Sequence, residues 1–160
     1  MTMAIEIGDA LPALTLTMAD DREVELTSFA GKPLVLYFYP KDDTPGCTKE
    51  AQGFSALYPA FQAAGADVIG VSKDPPAKHR KFIDKYALAI SLASDGDDNR
   101  VLEAFGAWTE KSMYGKKYMG IDRSTFLFGA DGRLVRAWRK VKVPGHAEEV
   151  LDAVKALAAT

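Results

Sequence analysis

Leu34-Val35-Leu36-Tyr37-Phe38-Tyr39-Pro40-Lys41-Asp42-Asp43-Thr44-Pro45-Gly46-Cys47-Thr48-Lys49-Glu50 changes character twice, and the changes set the architecture. Leu34 to Tyr39 is apolar at every position, as a central strand covered on both faces would be, and Pro40 ends it. A polar loop follows. Thr44 is a preferred N-cap residue, and Pro45 then takes the first helical position, where its missing N–H costs nothing. Phe54, Leu57, Tyr58 and Phe61 continue at helical spacing, so the helix is read from Thr44 to Ala64, with Gly65 as its C-terminal glycine. Asp67 to Ser72 is a second buried strand. Strand, helix and strand in this order predict a right-handed parallel crossover in an α/β sheet.

Working outward, Leu14–Thr17 and Glu23–Leu26 alternate with the period of a half-buried strand around the turn-prone Ala19-Asp20-Asp21, which predicts an N-terminal β-hairpin. Downstream, a helix is expected from about Pro76 to Tyr86, a short strand around Ile90–Leu92 and a short helix over Asn99–Phe105. Gly106 to Gly120 reads as an ordered loop. Ser124–Phe128 and Leu134–Trp138 form a second hairpin around Asp131-Gly132. An amphipathic helix, Ala147 to Ala158, closes the chain with Val150, Leu151, Val154 and Leu157 on its apolar face. The prediction is one domain over 1–160, a central mixed sheet flanked by helices.

Composition narrows the function classes. The chain has 160 residues, 48% hydrophobic and 26% charged, which is ordinary for a globular domain. A net charge of −2 builds no field for phosphate backbones or anionic lipid, so neither nucleic acid nor membrane is an expected partner. The apolar run Pro33–Pro40 is far too short to span a bilayer, and the start Met-Thr-Met-Ala-Ile-Glu-Ile has no signal-peptide pattern, so the expected location is cytoplasmic. A single cysteine rules out an internal disulfide and a thiolate-rich metal site, and two histidines far apart argue against zinc. No cofactor or metal is expected.

The chemistry is concentrated at Cys47. As the third residue of the first helical turn its sulfur sits among unpaired backbone N–H groups at the positive end of the helix, where a thiolate, the nucleophilic form, is stabilised. Thr44 lies three residues earlier, within reach of the sulfur or of a small molecule bound beside it, and Gly46 removes a side chain beside the sulfur so that a small substrate can approach. A lone cysteine is ordinarily a small buried hydrophobe. A helix entrance flanked by Pro-Gly and charged residues is a poor address for that role.

Pro40, Thr44 and Cys47 reproduce the Pro-x-x-x-Thr-x-x-Cys motif, and the string Phe38 to Thr48 resembles the bacterioferritin-comigratory-protein or PrxQ subfamily of peroxiredoxins. Gly120-Ile121-Asp122-Arg123-Ser124-Thr125-Phe126-Leu127 is similar to that family's second motif. The resemblance runs from Gly8-Asp9 to the final helix. It implies a thioredoxin-like fold and reduction of hydrogen peroxide and organic hydroperoxides to water and alcohols. It further implies a site in which Pro40 shields the sulfur, Thr44 hydrogen-bonds the peroxide, Cys47 attacks and Arg123 stabilises charge. It also implies a monomer or weak dimer. Glu50 either pairs with Arg123 and orients it or is a first-turn acid answering the helix dipole; both readings stand.

Two positions depart from the family pattern. Where relatives carry a resolving cysteine, five residues after the attacking one or in the helix beyond Ser72-Lys73-Asp74, this chain has Gln52 and Ile83. A one-cysteine mechanism follows: Cys47 becomes a sulfenic acid, and thioredoxin, glutaredoxin or glutathione supplies the reducing thiol from outside. A peroxide sensor or thiol-linked holdase would use the same cysteine. A dithiol oxidoreductase is disfavoured because the fourth position of its Cys-x-x-Cys pair is Glu50. His79, beside Lys78, Arg80 and Lys81, reads as a solvated residue, and His146 as a neighbour of the last helix's cap. Trp108 is read either as lining the pocket mouth or as packing, and Lys111, Lys116 and Lys117 give their loop a positive charge that could steer an anionic reductant.

Overall fold

The structure, a computed structural model, describes residues 4–96 and 98–158. β1 (Thr15–Met18) and β2 (Glu23–Glu25) form the expected hairpin, followed by a 3₁₀ turn over Leu26–Phe29. β3 (Leu34–Phe38), α1 (Pro45–Ala63) and β4 (Asp67–Ser72) make the crossover, and β3 and β4 pair in parallel. Then come α2 (Pro76–Tyr86), β5 (Ser91–Ser94), α3 (Arg100–Ala104), β6 (Trp108–Met113), β7 (Lys116–Ile121), β8 (Ser124–Phe128), β9 (Leu134–Trp138) and α4 (His146–Ala158).

The main sheet has seven strands in the order β2-β1-β5-β4-β3-β8-β9. Its centre, β5-β4-β3, is parallel, and the strands on both sides join it antiparallel. β3 is buried along its whole length, and its side chains divide by the period of two. Leu34, Leu36 and Phe38 enter the core shared with Phe105, Phe126 and Phe128. Val35, Tyr37 and Tyr39 enter the opposite core with Phe54 and Phe61 of α1, Phe82 of α2 and Val150 and Val154 of α4. Covering a large apolar side chain stabilises the fold by roughly 1.5–3 kcal/mol, so two loaded faces hold β3 firmly as the platform from which the active loop departs. Gly70 of β4 is required by this packing: a Cβ there would lie 2.6 Å from the Tyr37 ring. A mixed sheet covered on both faces, with an N-terminal hairpin, is the thioredoxin-like architecture that the resemblance implied.

One expectation fails. Gly106 to Gly120 is not a loop; most of it forms the ribbon β6–β7, closed at Tyr114-Gly115 with φ of 53° and 79°. Two successive positive φ values are the signature of a two-residue type I′ hairpin turn. The pattern of apolar residues could not announce it, because the ribbon stands outside the main sheet and both its faces meet solvent over most of their length. Trp108 at its base packs against the core, with Lys73 Nζ 5.4 Å from its ring centre.

Candidate active site

The chain leaves β3 at a buried Tyr39, whose N–H donates to Val71 O, and turns through an exposed Pro40 and through Asp43 at φ 60°. α1 then begins with Pro45 at its first position, as its sequence requires, and Thr44 is the N-cap residue in extended conformation. The Thr48 N–H to Thr44 O bond, 2.8 Å, opens the helix. The amides of Gly46 and Cys47, which precede it, have no acceptor within the helix. Cys47 is 2% exposed.

Arg123 reaches the sulfur from a distant part of the chain. β8 pairs antiparallel with β3, with Ser124 opposite Phe38, so the residue before β8 stands beside the point where the active loop leaves β3. The Val141 N–H to Arg123 O bond, 2.9 Å, fixes its backbone. From there Arg123 Nη2 donates to Cys47 Sγ at 3.3 Å and Nη1 donates to Glu50 Oε1 at 2.6 Å. A rigid fork suits this double contact, and an ammonium would not. Glu50, one turn after Cys47, therefore pairs with Arg123. Its side chain is 1% exposed, and burial pushes its carboxyl up to about 7, against the lowering influence of Arg123. Arg123 is held above its ordinary value: burial opposes its charge, but Glu50 and the Cys47 sulfur outweigh burial. Tyr37, below them, is pushed well above the ordinary phenol range by burial first and then by Glu50 and Cys47.

The other expected site residues are placed less simply. Thr44 is half-buried and makes no side-chain cap bond; its Oγ1 instead donates to Lys41 O at 2.9 Å. Pro40 is exposed at the strand end. Gly46 also has a use beside the one expected, since a Cβ there would lie 3.3 Å from Arg123 Nη2. Its missing side chain makes room for the guanidinium. A cavity of about 600 Å³ lies along Pro45, Gly46, Lys49 and Gly53, bounded by Val143–Gly145 of the α4 approach, but Cys47 does not line it. Gln52 is exposed and Ile83 half-buried on α2.

Both histidines depart from expectation. His79 is 0% exposed rather than solvated, and its Nδ1 lies 2.7 Å from Asp42 Oδ2 in the active loop. Helical spacing carried the signal: His79, Phe82, Ile83 and Tyr86 fall at i, i+3, i+4 and i+7, one apolar face, and the neighbouring cations obscured it. His146 does open α4, as its place suggested, but it is also buried, 2.7 Å from Thr125 Oγ1 through Nε2, and burial lowers its pKa.

Against known proteins, the model of the AhpC/TSA family matches residues 7–137. Peroxiredoxin Bcp of Xanthomonas campestris pv. campestris is 49% identical over 157 residues, covering 98% of this chain and 98% of that protein. Peroxiredoxin Bcp of Bacillus subtilis is 48% identical over 153 residues, covering 96% of this chain and 97% of that protein. A solved structure of the Xanthomonas campestris bacterioferritin comigratory protein is also similar. It is a trapped intermediate/ligand complex bearing on that protein's alkyl peroxide reduction activity, with a TM-score of 0.87 and 49% identity over 94% of this chain and 99% of that one.

Proposed function

The chain belongs to the AhpC/TSA family and is a peroxiredoxin, a thiol-dependent peroxidase, and on that premise we propose that Cys47 is its attacking group. The observation that carries the assignment is the Arg123 guanidinium on the sulfur, 3.3 Å away at the entrance of α1. A cation and a helix N-terminus together favour the anionic, nucleophilic form of a thiol. The thiolate attacks the nearer peroxide oxygen. The S–O bond forms as the O–O bond breaks, and the departing oxygen takes a proton and leaves as water or alcohol. Arg123 meets the negative charge that develops on the peroxide, a preorganised role of the oxyanion-hole kind. The Thr44 hydroxyl turns from Lys41 O to the incoming oxygen, and Pro40 restricts water at the loop. Alkyl peroxide reduction by the Xanthomonas relative supports organic hydroperoxides, beside hydrogen peroxide, as substrates.

Oxidation leaves a Cys47 sulfenic acid, and this chain has no second cysteine to condense with it. An external thiol therefore attacks the sulfenic sulfur, releases water and forms a mixed disulfide; a second thiol then frees Cys47 and carries off the disulfide. Thioredoxin, glutaredoxin and glutathione each have the required chemistry. Recycling by external thiols suits a reducing compartment, the cytoplasm, and among the described residues no helix is long and apolar enough to cross a membrane. We take 1–160 to work as one domain, as a monomer or weak dimer.

Steady-state peroxide consumption with each reductant tests the reading. Wild type should turn over with at least one of them and, without thiol, should consume about one equivalent and stop. Cys47→Ser should consume none. Turnover by Cys47→Ser, or sustained turnover by wild type with no thiol present, would refute the assignment. A protein that reacts once with peroxide and never turns over would instead be a sensor.

A further inference from the structure

We infer that His79, acting through Asp42, is a positioning residue for peroxide reduction. The inference rests on the reading of Cys47 and Thr44 given above. Between Tyr39 and Cys47 the loop contains no apolar side chain except the exposed Pro40 and Pro45, so hydrophobic packing does not hold it. Two consecutive carboxylates do. Asp42 accepts from His79 Nδ1–H at 2.7 Å and from Tyr39 Oη–H at 2.5 Å, and its own N–H donates to Asp74 Oδ2 at 2.8 Å. Asp74 is held in turn by Ser72 Oγ–H at 2.7 Å and Lys78 Nζ at 3.2 Å. Asp43 accepts from Lys85 Nζ at 2.7 Å and Tyr86 Oη–H at 2.6 Å. The loop is thus bolted to α2 and to the segment after β4.

The two bolts differ in kind. Lys85 and Asp43 are open to water, and such pairs contribute little. His79 and Asp42 are 0% and 1% exposed, so removing either partner strands a buried polar group, and the loop must move to hydrate it. His79 Nε2 has no partner among the described residues. The polar contacts of this buried ring both run through Nδ1, a short one to Asp42 in the active loop and a longer one, 3.4 Å, to Tyr39 Oη at the loop's start. α1 holds the Thr44 backbone through the Thr48 N–H bond, but the Thr44 hydroxyl is bonded to Lys41 O inside the same loop, so the aim of that hydroxyl depends on where the neighbouring Asp42 is held. Misplacing a reacting group by about an ångström can cost about a hundredfold in rate.

The test compares two reactions of the same sulfur in stopped-flow and quench experiments on the intact chain. Peroxide reduction needs the organised loop; alkylation by iodoacetamide needs only an available thiolate. In His79→Leu the second-order rate constant with hydrogen peroxide should fall roughly ten- to hundredfold, while alkylation is unchanged or faster. His79→Asn keeps a side-chain N–H near the Nδ1 position and should recover to within about fivefold of wild type. Tyr39→Phe removes the other side-chain bond to Asp42, together with the 3.4 Å contact between Tyr39 Oη and His79 Nδ1, and leaves the His79–Asp42 bond in place. It should lower the peroxide rate several-fold in the same one-sided way, which keeps the test open if His79→Leu does not fold. A wild-type peroxide rate in folded His79→Leu overturns the inference. So does an equal fall in both reactions, or a folded His79→Asn as slow as the leucine variant. Wild type that fails to reduce peroxide at all would instead refute the reading of Cys47.

Discussion

Replacing Glu50 by glutamine should change how stability depends on pH, with a sign and size that the structure sets. The Glu50 carboxyl is raised from 4.5 to about 7, chiefly by burial, although Arg123 lies 2.6 Å away. Below about pH 4.5 both the folded and the unfolded chain hold this proton. Between 4.5 and about 7 the folded chain keeps it and the unfolded chain has released it, so raising the pH favours unfolding by about 1.4 kcal/mol per pH unit. Over that window the wild type loses about 3 kcal/mol through this group, and above it nothing further. With 1% exposure the side chain has almost no solvent to screen it. Glutamine has the shape of the neutral acid, can still accept from Arg123 and does not titrate. The unfolding free energy of Glu50→Gln minus that of wild type should therefore climb by about 3 kcal/mol from about pH 4.5 to about pH 7 and then level off. Urea denaturation followed by circular dichroism under reducing conditions measures it, and titrations common to both chains cancel. A flat difference would refute the reasoning. A difference that falls with pH would mean that the Arg123 charge outweighs burial, reversing the balance argued for this pair.

Arg123→Lys puts a point charge where a fork spans Glu50 Oε1 and Cys47 Sγ, so kcat/KM for hydroperoxide should drop on the order of a hundredfold; a change within about twofold would show that the double contact is dispensable. Gly46→Ala brings a Cβ to 3.3 Å from Arg123 Nη2. Alanine is the better helix former by up to about 1 kcal/mol, so thermal stability should hold or rise while the peroxide rate falls roughly tenfold. A fall in both would point to simple overpacking. Phe54→Ala removes a buried ring stacked 4.7 Å from Tyr37 and edge-on to His146 at 6.0 Å. Urea denaturation should register a loss of about 3–5 kcal/mol, and a loss below about 1 kcal/mol would mean that α1 is not held to the sheet through this contact.

The residues that follow local rules were legible in the chain itself. An unbroken apolar run requires a strand covered on both faces, Thr44-Pro45 starts a helix, and a single cysteine excludes an internal disulfide. Element order, the hairpins at both ends and the place of Cys47 at a helix entrance follow from contacts a few residues long. The ribbon β6–β7 was not legible because hydrophobic alternation reports burial, and the ribbon is largely unburied. What faces Cys47 was decided only by tertiary structure. The chain has several arginines, and nothing local separates Arg123 from the rest; the register of β8 on β3 brings it to the sulfur from 76 positions away. The same register gives Glu50 a partner in Arg123, and gives Gly46 a guanidinium to accommodate. His79 joins Asp42 across 37 positions because α2 packs its apolar face under the active loop. Charge and hydrogen bonding act through space, so their partners emerge only after the sheet has closed.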